Sequence, residues 1–265
     1  LASSAASDVY KRQMLYLRSF LFNLICYGTL AFGCLVTSVV GLFNRKITIP
    51  MWNKGFIPFI LWNLKHVAGI EIEIRGREYM RQENVLYASK HESALETYFM
   101  SAFLTKLVFV LKKELTYIPL FGWAQYFYGM IPVDRSAGGA AMKNLLKEAK
   151  IRLAAKRPIM IFPEGTRVKP GTVSGYKPGL LFIAQNLKVP VVPVALNTGL
   201  FWQKNSFLRH PGKVIIEFME PMPDNLDKKD FMDELQKRIE NKCAELNAES
   251  VKNYPHIANL LVKEK

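Results

Sequence analysis

Pro158-Ile159-Met160-Ile161-Phe162-Pro163-Glu164-Gly165-Thr166-Arg167 is the stretch that decides the fold. Its first half is a short unbroken apolar run, the pattern of a strand buried on both faces. Its second half breaks that strand with proline and glycine, so the polar residues fall in a turn at the strand end. Just upstream, residues 139–156 carry Met142, Leu145, Leu146, Ile151 and Leu153 at helical spacing with lysines between them. Downstream, residues 178–186 read as helix, and 189–196 and 214–218 as strands. Residues 228–247 read as a helix in which Phe231, Leu235, Ile239, Cys243 and Leu246 form one core-facing stripe, widened by Met232. Toward the N-terminus, Ile70-Glu71-Ile72-Glu73-Ile74 alternates as a half-exposed strand. Residues 85–88, 107–111 and 130–133 read as strands, separated by helices over 93–103 and 118–128. Strand and helix alternate throughout, which predicts an α/β domain with a largely parallel central sheet flanked by helices, over residues 69–265. Residues 263–265 are expected to fray.

The chain has 265 residues, 50% of them hydrophobic, with a net charge of +14. That supports one globular domain with an appendage and points to anionic partners: nucleic acid, an anionic lipid surface or phosphorylated metabolites. Cys26, Cys34 and Cys243 form no CxxC pair and no metal-ligand spacing, so they read as buried thiols in a reducing compartment. Residues 1–13, ending in Asp8-Val9-Tyr10-Lys11-Arg12-Gln13, read as a non-native leader, with Met14 as the expected start.

Residues 19–43 contain 25 positions without a charge. As a helix they reach ~37 Å at ~1.5 Å per residue, enough to cross a ~30 Å hydrocarbon core. A second apolar segment, residues 55–64, is too short to span, and Trp52 and Trp62 suit a membrane interface. Arg18 precedes the first segment and Arg45, Lys46 and Lys54 follow it, so flanking charge sets no crossing direction. The reading favours a membrane-associated helical hairpin over 14–68, dipping into one leaflet, above a single span.

Four blocks carry chemistry. His91-Glu92-Ser93-Ala94-Leu95-Glu96 lies where a strand gives way to a helix, the edge of a parallel sheet where α/β sites form. From the first helical turn, Glu96 can accept a hydrogen bond from one imidazole nitrogen and leave the other as a base. Alone, this histidine would more often be a capping or surface residue. The zinc-protease pattern HExxH fails because position 95 is Leu95, and Ser93 is in no GxSxG elbow. In the second block, Gly129 to Arg135, Arg135 offers a planar donor pair for a phosphate, against the plainer alternative of a surface ion pair with Asp134. In the third, Gly165 permits a tight turn exposing backbone N–H groups, Thr166 and Arg167 add donors, and Glu164 could hold a hydroxyl or fix an arginine. Lys112, ending the intervening strand, adds positive potential. The fourth block, Val191 to Asn197, is an apolar strand containing Pro193.

Taken in order, these blocks resemble the 1-acyl-sn-glycerol-3-phosphate acyltransferases, the lysophosphatidic acid acyltransferase family of glycerophospholipid acyltransferases, from His91 to Asn197. One departure is Glu96, where the family usually has Asp. The resemblance implies a glycerophospholipid acyltransferase-like fold with a membrane-facing N-terminal helical pair. It implies transfer of a fatty acyl group from acyl-CoA or acyl carrier protein to the sn-2 hydroxyl of lysophosphatidic acid, giving phosphatidic acid. It also implies His91 as base, Glu96 as its partner, and Arg135, Glu164, Gly165 and Arg167 around the glycerol phosphate. No metal or cofactor is expected, because the acyl donor is a co-substrate that arrives already activated. The expected setting is a phospholipid membrane, at the cytoplasmic face of a bacterial inner membrane. Competing readings are an acyltransferase for another lysolipid or glycerol 3-phosphate, and a non-catalytic protein binding anionic membranes. A nucleic-acid partner is not expected, since only the basic pI favours it.

Overall fold

The computed structural model describes residues 2–262, with side chains from residue 9; the tail expected over 263–265 lies outside the described residues. Helix α1 (Ala2–Phe43) is followed by α2 (Arg45–Met51), which Asn44 caps through its side chain. Helical structure then continues through a wide turn (Trp52–Phe56), α3 (Ile57–Asn63) and a second wide turn (Leu64–Ala68). Gly69, at φ 72°, ends it in the left-handed conformation that glycine adopts without steric penalty. The second helical stretch folds back on the first, so the N-terminal segment is a hairpin.

The rest alternates strand and helix: β1 (Ile70–Arg75), β2 (Leu86–Ser89), α4 (Leu95–Phe103), β3 (Val108–Lys112), α5 (Phe121–Tyr128), β4 (Ile131–Val133), α6 (Gly138–Ala154), β5 (Ile159–Ile161), α7 (Gly179–Leu187), β6 (Val191–Leu196), α8 (Thr198–Phe201), β7 (Gly212–Phe218) and α9 (Lys228–Asn253). The sheet order is β1-β7-β6-β2-β5-β3-β4. Five strands, β6 to β4 in that order, run parallel. β7 pairs antiparallel with β6, and β1 pairs parallel with β7, so the β1–β7 edge runs against the rest.

The central strands are buried on both faces because alternate side chains feed two different cores. On β2, Tyr87 joins Phe22, Leu64 and Phe99 on one side, while Leu86 and Ala88 join Leu145, Leu180 and Leu235 on the other. The first core therefore combines the hairpin, α4 and the sheet. Arg18 Nε donates to Val67 O at 2.7 Å, joining the two arms of the hairpin, and Asn23 Nδ2 donates to Phe207 O at 2.9 Å, tying the hairpin to the rest of the fold. The second core is closed by α6, α7 and α9.

Candidate active site

His91 follows β2 at the carboxyl end of the parallel strands and is held at four points. Its N–H donates to Glu164 Oε2 at 2.9 Å, and its carbonyl accepts from Val168 N at 2.8 Å. Its ring stacks on Phe162, with centroids 3.9 Å apart and planes 17° apart. Its Nδ1 lies 2.8 Å from Glu96 Oε1. The last contact leaves Nε2 for the cleft that His91 lines.

Glu96 is fully buried in the first turn of α4. Its Oε1 also accepts from the N–H groups of Glu92 and Ser93, each at 2.8 Å, and Oε2 accepts from Thr198 Oγ1 at 2.9 Å. The carboxylate thus satisfies two N–H groups of the loop just before α4, and in the same place orients the imidazole.

The cleft is ≈ 1040 Å³, at the top of the ~300–1,000 Å³ range of ligand pockets. One part is apolar, walled by Leu30, Cys34, Trp52 and Ile57 of the hairpin and by Leu120, Ala124 and Tyr128 around α5. The other part carries Lys112, Arg135, Arg167, Lys177 and Lys204, and among the described residues no Asp or Glu lines the cleft. Arg135 donates to Gly165 O rather than pairing with Asp134, whose carboxylate is taken by Ser136 and by Lys113 at 3.1 Å. Lys204 Nζ donates to Arg167 O at 2.9 Å. A rim of cations beside an apolar hollow, with an imidazole lining the same space, suits an amphiphile with an anionic headgroup. Among the described residues, no three His, Cys, Asp or Glu side chains gather to hold a metal ion.

The Acyltransferase family profile matches residues 71–197. The chain is 34% identical over 224 residues to the 1-acyl-sn-glycerol-3-phosphate acyltransferase of Pseudomonas aeruginosa, covering 84% of this chain and 85% of that protein. This chain belongs to the 1-acyl-sn-glycerol-3-phosphate acyltransferase family. It is an acyltransferase. A protein of the same description from Cocos nucifera is 29% identical over 198 residues, 68% of this chain and 64% of that one. The fold matches the crystal structure of the 1-acyl-sn-glycerophosphate acyltransferase of Thermotoga maritima with a TM-score of 0.67 at 22% identity, over 90% of this chain and 97% of that one.

Of the residues singled out in the acyltransferase sequence, His91, Lys112, Arg135, Gly165, Thr166 and Arg167 all line the cleft, and Glu96 backs His91. Glu164 does not line it. Its carboxylate is buried behind the site, where Oε1 meets Lys90 Nζ at 3.1 Å, so it holds the His91 backbone instead of facing the cleft. Burial pushes its pKa up to about 7, against the pull of the Lys90 ammonium. Gly165 forms the expected turn at φ 73°, but its N–H closes that turn onto Phe162 O at 2.9 Å and is not offered to a ligand. The fourth block, in β6, stays out of the cleft. Asn197 bridges Ile215 N and Ser250 Oγ, both at 2.7 Å, and the next residue, Thr198, reaches Glu96.

Sequence reasoning missed Lys177 and Lys204. Lys177 N–H bonds Pro163 O at 2.9 Å, and its Nζ would lie 3.1 Å from a Cβ at Gly165, so a side chain there would crowd the lysine. Only the turn linking residues 163 and 177 brings this cation to the rim.

Proposed function

We propose that the acyltransferase moves a fatty acyl group from a thioester donor, acyl-CoA or acyl carrier protein, to the sn-2 hydroxyl of lysophosphatidic acid, producing phosphatidic acid. The observation that carries this is the His91–Glu96 pair in a cleft that joins a cationic rim to an apolar hollow. The rim suits a phosphate monoester, with Arg135 and Arg167 as planar donors. The hollow suits acyl chains.

In this reading His91 Nε2 takes the proton of the sn-2 hydroxyl as its oxygen attacks the thioester carbonyl. Glu96 keeps Nδ1–H in place and balances the imidazolium charge. Collapse of the tetrahedral intermediate breaks the C–S bond, and the thiolate leaves with the proton held on His91. A thioester is activated already, so neither a covalent enzyme intermediate nor a metal is required by the chemistry. Glu164, Gly165 and Thr166 serve as the frame and edge of the headgroup pocket, and Lys112, Lys177 and Lys204 add field for the anionic partners. The decisive assay is thiol release from acyl-CoA and acyl carrier protein donors, with and without lysophosphatidic acid. Release that ignores the lysolipid would overturn the reading.

The same reading seats the enzyme on a phospholipid membrane, at the cytoplasmic face of a bacterial inner membrane. Val9–Phe43 is long and apolar enough to cross a bilayer, and 33% of its most apolar window is buried. Phe20, Leu24, Phe32, Leu42 and Phe43 are exposed on it, and Trp123 and Tyr126 of α5 are exposed nearby, with Arg45 stacked on Tyr126. Such aromatic and basic groups suit a bilayer interface. The three thiols are free, which fits the reducing side. Flotation with anionic vesicles tests the attachment; protein left at the bottom of the gradient would refute it.

A further inference from the structure

A cluster of buried charge lies behind His91 on the side away from the cleft. Successive side chains of an extended segment point to opposite faces, so Lys90 turns inward where His91 turns to the cleft. Lys90 is 1% exposed. Its Nζ reaches both oxygens of Glu240 on α9 at 2.8 and 2.7 Å, Thr172 O at 2.9 Å and Glu164 Oε1 at 3.1 Å. Tyr176 OH donates to Glu240 Oε1 at 2.9 Å. One ammonium therefore joins the end of β2, the turn after β5, the 172–176 segment and the C-terminal helix.

We propose that Lys90 and Glu240 are positioning residues for the catalytic histidine, acting through Glu164, whose other oxygen holds the His91 N–H. The proposal rests on His91 being the base. Two carboxylates and one ammonium out of water are costly to fold, and apolar side chains of similar volume would often serve stability as well. Here the arrangement delivers a charged acceptor to the backbone of the one residue whose ring must not drift. A shift of about 1 Å in such a group is enough to lose most of the rate.

Glu164 is the sensitive link. Burial favours its neutral form, Lys90 and the His91 N–H favour the charged form, and Glu240 opposes them. Glu92, whose pKa burial pushes up to about 8, and Tyr176 are the other titratable groups coupled to it. Glu164 with its proton is the weaker acceptor for His91.

The test is kinetic, on the full-length enzyme in lipid or detergent. Lys90→Met should lower kcat at neutral pH by ~10–100-fold, the scale of a hydrogen bond to a charged group. KM for lysophosphatidic acid should stay within about twofold. The acid limb of the kcat profile should move to higher pH, because Glu164 loses the cation that keeps it charged. Glu240→Gln, nearly isosteric, should move that limb to lower pH, because it removes the opposing carboxylate and leaves Lys90 to Glu164 alone. In a Glu164→Gln background neither change should move the limb further. Opposite shifts that vanish in that background establish the role. A lowered melting temperature with an unmoved pH profile, shifts of the same sign, or shifts that survive in the Glu164→Gln background would each overturn it. Failure of the base assignment shows separately, as His91→Ala retaining turnover.

Discussion

The cationic rim of the cleft hangs on strand ends, whereas its apolar wall is assembled from helices that lie on the sheet. Arg135 follows β4, Lys112 closes β3, and Gly165 to Arg167 follow β5, so each inherits its position from a hydrogen-bonded ladder. Leu30, Cys34, Trp52 and Ile57 belong instead to the hairpin, whose placement depends on packing against α4 and α5. The rim is held by backbone geometry and presents charge. The wall is held by side-chain contact and presents an apolar shape. One end should discriminate headgroups steeply, the other chain lengths gradually.

The largest expected effect lies at the junction. His91→Ala should cut turnover by ~10²–10⁴-fold with every donor, while leaving the melting temperature near that of the parent protein. Turnover within a few fold of normal would mean that rim and wall act by holding substrates together and need no base. Next is the rim: Arg167→Ala should raise KM for lysophosphatidic acid by ~10–100-fold, equally for all acyl lengths. At the wall, Ala124→Phe should bias the enzyme against long chains by ~4-fold per methylene displaced, from ~0.8 kcal/mol per CH₂, with little change in salt sensitivity. The comparison breaks if the arginine variant sorts donors by length or the Ala124 variant does not. Both are read from kcat/KM across a donor series.

The last effect falls on stability and not on turnover; it concerns Glu92, which lies in the loop four residues before Glu96 and accepts from Gly199 N–H at 2.9 Å. Burial raises its pKa to about 8 from an ordinary 4.5. The folded protein therefore binds a proton that the unfolded chain releases between those values. Its contribution to stability is full below pH ~4.5 and is lost as pH rises toward 8, by up to ~1.4 kcal/mol per unit. Glu92→Gln removes this dependence, so its advantage in melting temperature over the parent should grow from pH 5 to pH 8. An advantage that shrinks over that range would show that Glu92 is charged in the folded state.

The rim was legible because proline, glycine and arginine at the end of an apolar run mark a strand end as well as a ligand. His91 and Glu96 were legible for the same reason: a junction and a first helical turn are local objects. The wall was not, since no local pattern says which face of residues 19–43 meets α5. The reversed β1–β7 edge was equally hidden, because Ile70-Glu71-Ile72-Glu73-Ile74 alternates identically in either direction. Lys177 and Lys204 lie outside the motif blocks they join. Glu164 was misread because a carboxylate in a turn looks the same whether it faces a ligand or the interior, and only Lys90 behind it decides.

The pairing of β1 with β7 sets Ile70 beside Gly212, 142 residues apart in the chain. On a ribosome adding ~5–20 residues per second, the greasy hairpin emerges roughly 7–30 s before the strand that locks it down exists. During that wait the nascent hairpin has no protein partner for much of its apolar surface. A bilayer within reach would claim it first, so the catalytic half would be built already tethered beside its lipid.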